Sequence, residues 1–179
     1  LDRNTSGIVA AGKSMIGLQS LSQMFHDRTI GKYYLCLTAG RIERSSRVEG
    51  WLIKNERTNK VEVCSEEVPG SVRIITEYLP LKCHNDVTLL QVHLITGKTH
   101  QIRAHLASIG HPLLGDHKYG LPNINREYEQ KYQLQFQLLH AARLQFPVCT
   151  KALSSVSEKE FQAPLPELFC RIAKEKGVL

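Results

Sequence analysis

The stretch from Thr88 to Ile109 changes its hydrophobic period within a few residues, and that change restricts the fold more than any other feature of the chain. Leu90, Val92 and Leu94 alternate with Gln91 and His93, the period-two signature of a strand from Thr88 to Ile95. A Thr96-Gly97-Lys98 turn follows, and then Ile102, Leu106 and Ile109 recur at helical spacing. Thr99 is the expected cap of this helix, Gly110 its end, and Pro112 prevents it from continuing. The turn therefore delivers His100-Gln101-Ile102-Arg103-Ala104-His105 at a helix start, where unpaired N–H groups and the helix dipole favour an anion. Arg103 adds a guanidinium fork one turn in, an arrangement suited to a phosphate or a carboxylate.

A carboxylate is available in Leu1-Asp2-Arg3-Asn4-Thr5-Ser6-Gly7. This segment has turn chemistry and neither strand nor helix periodicity, so packing does not explain its charges. Ile8-Val9-Ala10-Ala11-Gly12 reads as a short buried strand. Ser14 is placed to cap a helix running to about His26, with Leu18, Leu21 and Phe25 on its apolar face. Lys32 to Ala39 is the clearest strand: Tyr33, Leu35 and Leu37 share one face, Tyr34 and Cys36 the other. Ser45 to Pro69 suggests short antiparallel strands, Val72 to Leu79 another, and Leu138 to Phe146 a further one. Gly115 to Gly120 reads as a loop, residues 121–137 as a polar surface insertion, and Leu165 to Lys174 as a last helix. Strands outnumber helices and follow one another at hairpin spacing. The expected class is α+β, a mixed, largely antiparallel central sheet flanked by helices.

A length of 179 residues suits one domain, expected to span 1–179. The chain opens abruptly at Leu1, and the expectation is a piece of something longer, incomplete at its N-terminus. No apolar run reaches the roughly 18 residues of a membrane span, so no membrane partner is expected. Five cysteines form no Cys-x-x-Cys pair, which argues against a disulfide framework or a structural zinc site and suits a reducing cytoplasm. A net charge of +6 favours a polyanionic partner, and nucleic acid is the usual one.

Three other readings fail on spacing. Gly97-Lys98-Thr99 resembles the end of a phosphate-binding P-loop, but Val92 stands where that loop needs a second glycine. His100 and His105 are five apart, so on a helix they diverge by about 140° and share no metal. No Gly-x-Ser-x-Gly elbow marks a serine nucleophile. Taken singly, Asp2 also reads as an Asx-turn residue, Tyr34 as a core tyrosine and Arg103 as a solvated helix arginine.

Their joint arrangement is more specific. Leu1-Asp2-Arg3-Asn4-Thr5-Ser6-Gly7, Lys32-Tyr33-Tyr34-Leu35-Cys36-Leu37 and Thr96-Gly97-Lys98-Thr99-His100-Gln101-Ile102-Arg103-Ala104-His105-Leu106 resemble the three motifs of the RluA-type RNA pseudouridine synthases. His111-Pro112-Leu113-Leu114-Gly115-Asp116 with Tyr119-Gly120, Leu139-His140-Ala141-Ala142-Arg143-Leu144 and Ala163-Pro164-Leu165-Pro166 resemble later landmarks of that family in the same order. Lys98 stands where an arginine is commoner, Cys36 where alanine is usual, and the His-Arg that normally opens the first motif is not in this sequence.

The resemblance implies a pseudouridine synthase-like fold and an RNA uridine isomerase acting on large-subunit ribosomal RNA. It makes Asp2 the essential aspartate, Tyr34 the tyrosine that stacks on the target base, and Arg103 the arginine that pairs with the aspartate. Arg3, Lys98, His100 and His105 are the candidate RNA contacts. The reaction conserves every atom apart from proton exchange, so no cofactor and no metal are expected. Two alternatives stay open: a fragment that binds RNA without turnover, and a member directed at transfer RNA.

Overall fold

The computed structural model describes residues 1–179, apart from the side chain of Lys151. The elements in chain order are β1 (Ser6–Gly7), α1 (Met15–His26), β2 (Gly31–Ala39), β3 (Ser46–Asn55), β4 (Lys60–Cys64), β5 (Val72–His84), β6 (Val87–Leu94), α2 (Gln101–Ser108), α3 (Pro122–Tyr132), β7 (Leu139–Gln145), a 3-10 turn (Lys151–Val156), β8 (Glu160–Gln162) and α4 (Glu167–Glu175). One sheet runs β1-β7-β2-β6-β5-β3-β4, with β8 also paired to β7. Only β1 runs parallel to its neighbour; every other pairing is antiparallel. The α+β class with a mixed, largely antiparallel sheet is thus the fold observed.

The two faces of the sheet bury different sets. Cys36, Leu90, Val92 and Leu94 pack with Ile102 and Leu106 of α2. Leu37, Val87 and Leu89 pack with Tyr128 and Tyr132 of α3 and Phe169 and Ile172 of α4. Period-two alternation along β2 and β6 produces this division directly, since neighbouring residues point to opposite faces. α1 lies over Ile30, Leu144 and Phe146 through Leu21. Ser14 caps it, its hydroxyl accepting the Gly17 N–H at 3.1 Å.

Several expectations need correction. Residues 8–12 are not a buried strand; the strand ends at Gly7, and Val9 is 75% exposed. Leu18 is exposed, so the apolar stripe of α1 is narrower than its spacing suggests. α2 is not capped by Thr99: His100 holds that position in a left-handed conformation, φ 53°, and no side chain caps the helix. The segment 121–137 is not a surface insertion. It forms α3, started by Pro122, and buries Asn125, Tyr128 and Tyr132 along one stripe. Tyrosine reads as half-polar in sequence, yet its ring covers apolar surface as well as leucine does.

Candidate active site

Asp2 is held in place by groups far along the chain. Gly7 lies where a Cβ would come within 2.2 Å of the Ala141 carbonyl oxygen, so only glycine allows β1 to lie against β7. Buried His140 sits between the two edges: its Nδ1 is 2.8 Å from Ser6 Oγ and its Nε2 is 3.2 Å from the Ala163 carbonyl. A carbonyl only accepts, which places the imidazole proton on Nε2 and leaves Nδ1 to accept from Ser6. Gln137 Nε2 donates to the Arg3 carbonyl at 2.9 Å, and the turn closes with Thr5 N–H to the Asp2 carbonyl at 3.1 Å.

The Asp2 carboxylate meets α2. Its Oδ1 accepts the His100 N–H at 3.4 Å, and its Oδ2 stands 3.6 Å from Arg103 Nη1. Neither contact is short, so the carboxylate is oriented without being saturated. The left-handed backbone of His100 turns that N–H toward Asp2. Its imidazole points elsewhere, with Nδ1 2.9 Å from the Tyr119 hydroxyl, which itself accepts the Val61 N–H at 2.9 Å. Burial is the main influence on His100 and pulls its pKa down, so the ring is neutral at pH 7.

Arg103 spends its fork on a residue with no role assigned from the sequence. Its Nε and Nη2 donate to the two oxygens of Asp116 at 2.7 and 2.8 Å. Asp116 is fully buried and also accepts the N–H groups of Lys118 (2.9 Å) and Tyr119 (3.1 Å). Burial raises its pKa, but the hydrogen bonds and charge of Arg103 and the two N–H donors outweigh burial and hold it below the usual value. The loop carrying Asp116 is clamped by Asn125 of α3, which accepts the Gly115 N–H at 3.0 Å and donates to the Asp116 carbonyl at 2.8 Å. The Tyr119 ring lies 5.3 Å from the guanidinium carbon.

Asp2 and Tyr34 line one cavity of about 890 Å³ together with Lys98, Gln101, Ile102 and Leu139. Arg103 stands behind Asp2 and touches it. Burial first, and the charge of Asp2 second, push the Tyr34 hydroxyl up to about 12, so it stays protonated at neutral pH. The site can accept a planar ring against Tyr34 and present an anionic carboxylate to the atom attached to it.

The candidate RNA contacts divide. Lys98 lines the cavity, and Arg3 is exposed beside the Asp2 turn. His100 and His105 are corrected. The His100 ring is buried against Tyr119. His105 is 1% exposed, with Nδ1 2.9 Å from Thr76 Oγ1, and has no surface to offer a phosphate. No group of three or more His, Cys, Asp or Glu among the described residues is placed to hold a metal.

Residues 1–108 match the family described as RNA pseudouridylate synthase. The chain belongs to that family. Against an RNA pseudouridine synthase of Helicobacter pylori described as uncharacterized, this family member is 32% identical over 182 residues, covering 98% of this chain and 59% of that protein. Against the ribosomal large subunit pseudouridine synthase C of Vibrio cholerae it is 34% identical over 168 residues, covering 92% of this chain and 50% of that one. The chain thus spans about half to three fifths of these relatives. The human protein RNA pseudouridylate synthase domain containing 4 shares the pseudouridylate synthase fold with a TM-score of 0.73 at 21% identity, over 92% of this chain and 69% of that one.

Proposed function

We propose that this chain carries the catalytic site of an enzyme that converts uridine in RNA to pseudouridine, with large-subunit ribosomal RNA as substrate. The observation that carries the reading is the Asp2 carboxylate, 3.6 Å from Arg103 and in one cavity with Tyr34. Family membership supports the reaction, and the name of the Vibrio cholerae relative supports the RNA. The five free cysteines suit a reducing compartment, and we place the enzyme in the cytoplasm.

The isomerisation breaks the C1′–N1 bond of uridine and forms a C1′–C5 bond; C5 loses a proton and N1 gains one. Asp2 serves it either by attacking or shielding the electron-poor C1′, or by taking a proton from the sugar. Each route uses the carboxylate oxygens, and the neighbouring Arg103 orients them. The uracil freed at C1′ must turn while it stays bound, and the Tyr34 ring offers a flat surface for this movement. The Tyr34 hydroxyl is protonated at neutral pH, so as acceptor of the C5 proton it would first have to give up its own. A uridine within folded RNA must be flipped out to reach the cavity, at a cost of a few kcal/mol that phosphate contacts offset.

Release of tritium from RNA containing 5-tritiated uridine tests the reading. Release by the parent and none by Asp2→Asn is expected. Tight RNA binding without release would instead establish a module that binds without turnover. Release from transfer RNA alone would move the substrate from the ribosome.

A further inference from the structure

Lys32 is an unusual occupant of the cavity wall. It precedes Tyr34 by two residues on β2 and therefore shares its face of the sheet. Lys32 is only 9% exposed, but its ammonium keeps access to the cavity, and among the described residues no carboxylate lies within ion-pair distance of it. The ammonium reaches the cavity beside the Thr96-Gly97-Lys98 turn, 3.5 Å from where a Cβ on Gly97 would stand. Burial first, then the like charge of Arg28, lower its pKa.

Arg28 and Lys98 line the same cavity, and neither has a carboxylate partner among the described residues. Asp27 also lies on this wall, but Gln23 Nε2 binds both its oxygens at 2.9 and 2.8 Å and His26 approaches one of them at 3.1 Å. Three cations thus line this wall, none of them in an ion pair with the Asp2 or Asp27 carboxylates of the same cavity. Cations at a cavity wall without a carboxylate partner are free to take an anionic ligand as counter-charge.

We propose that Lys32, with Arg28 and Lys98, forms a subsite for a phosphodiester of the RNA strand next to the nucleotide seated on Tyr34. The inference rests on the RNA reading above. The cavity is larger than one pyrimidine needs and leaves room for backbone beside the base. Lysine suits this position: it meets a phosphate as a point charge and needs no fixed fork geometry.

The test is binding of a fluorescein-labelled oligouridylate of about twelve nucleotides, followed by anisotropy over a range of salt, in the Asp2→Asn background so that turnover plays no part. Lys32→Met is expected to weaken binding about tenfold and to reduce the salt slope by about 0.7, the loss of one phosphate contact on a single strand. Arg57→Met, on an exposed hairpin turn, should leave affinity and slope near the parent's.

Unchanged affinity and slope in Lys32→Met overturn the proposal, as does an equal loss in Arg57→Met. A fall in turnover with an unchanged salt slope, measured with Asp2 intact, would move Lys32 from the phosphate to the base and equally overturn it. A protein that shows these binding effects but never releases tritium would refute the isomerase reading and leave the subsite standing.

Discussion

Arg103 donates Nε and Nη2 to the two oxygens of Asp116, at 2.7 and 2.8 Å, and reaches Asp2 only with Nη1. Asp116 therefore fixes the guanidinium plane, and the plane fixes where Asp2 finds its counter-charge. The buried pair takes up the strong hydrogen bonds and leaves the Asp2 carboxylate oriented by longer contacts.

Asp116→Leu should destabilise the fold by about 3–5 kcal/mol, because Arg103 would remain buried without a bidentate partner. The double variant Arg103→Met with Asp116→Leu should recover most of that stability and none of the isomerase activity. Thermal melts and the tritium assay measure both effects. Recovery of activity in the double variant would remove this pair from the mechanism.

The same carboxylate makes stability depend on acid. Asp116 has a folded pKa below its ordinary value of 3.8. Between the two values the unfolded chain binds a proton that the folded chain does not. Its stabilisation is complete above about pH 4 and is lost as pH falls through the lower, folded value. Melting temperatures measured from about pH 6 down to about pH 2 should fall less steeply below pH 4 in Asp116→Asn than in the parent; parallel curves would show that folding leaves the Asp116 pKa unshifted.

Asp2→Ala should abolish turnover with a stability change under about 1 kcal/mol, since its carboxylate makes only contacts of 3.4 and 3.6 Å. Circular dichroism melts would check this. A large loss of stability would assign Asp2 to the architecture of its turn.

Arg103→Lys should cost at least about a hundredfold in kcat/KM. One ammonium cannot bond both oxygens of Asp116 and still face Asp2. Near-parental kinetics would show that the fork geometry is irrelevant.

Tyr34→Phe should bind RNA like the parent and form product more slowly. In the parent no step in rate should accompany phenol ionisation at alkaline pH below about 11, because the hydroxyl sits near 12. Equal rates for the two proteins would restrict Tyr34 to stacking.

Much of the fold is legible in local pattern. The alternation along β2 and β6 and the Ser14 cap of α1 depend on residues near one another in sequence, and these elements form where their spacing places them. α3 escapes such a reading because its buried stripe consists of Asn125, Tyr128 and Tyr132, which read as polar until their partners in α4 and the sheet are known. In the site, the closeness of Asp2 to Arg103 follows from charge and family likeness. Asp116 is hidden because nothing local says that a loop carboxylate will be buried. His100 and His105 go astray for a related reason: Tyr119 and Thr76, distant in sequence, decide where their rings point.

The Asp2 carboxylate hangs from a turn anchored by a strand of only two residues, fastened at its edge by Ser6, His140 and Gln137. Such a fastening opens before a large sheet does. Gentle warming or dilute urea should therefore peel this edge away, and the proposed activity with it, while the spectrum of the folded protein is still intact. The placement of Asp2 against Arg103 would then be the first feature to be lost and, on cooling, the last to return.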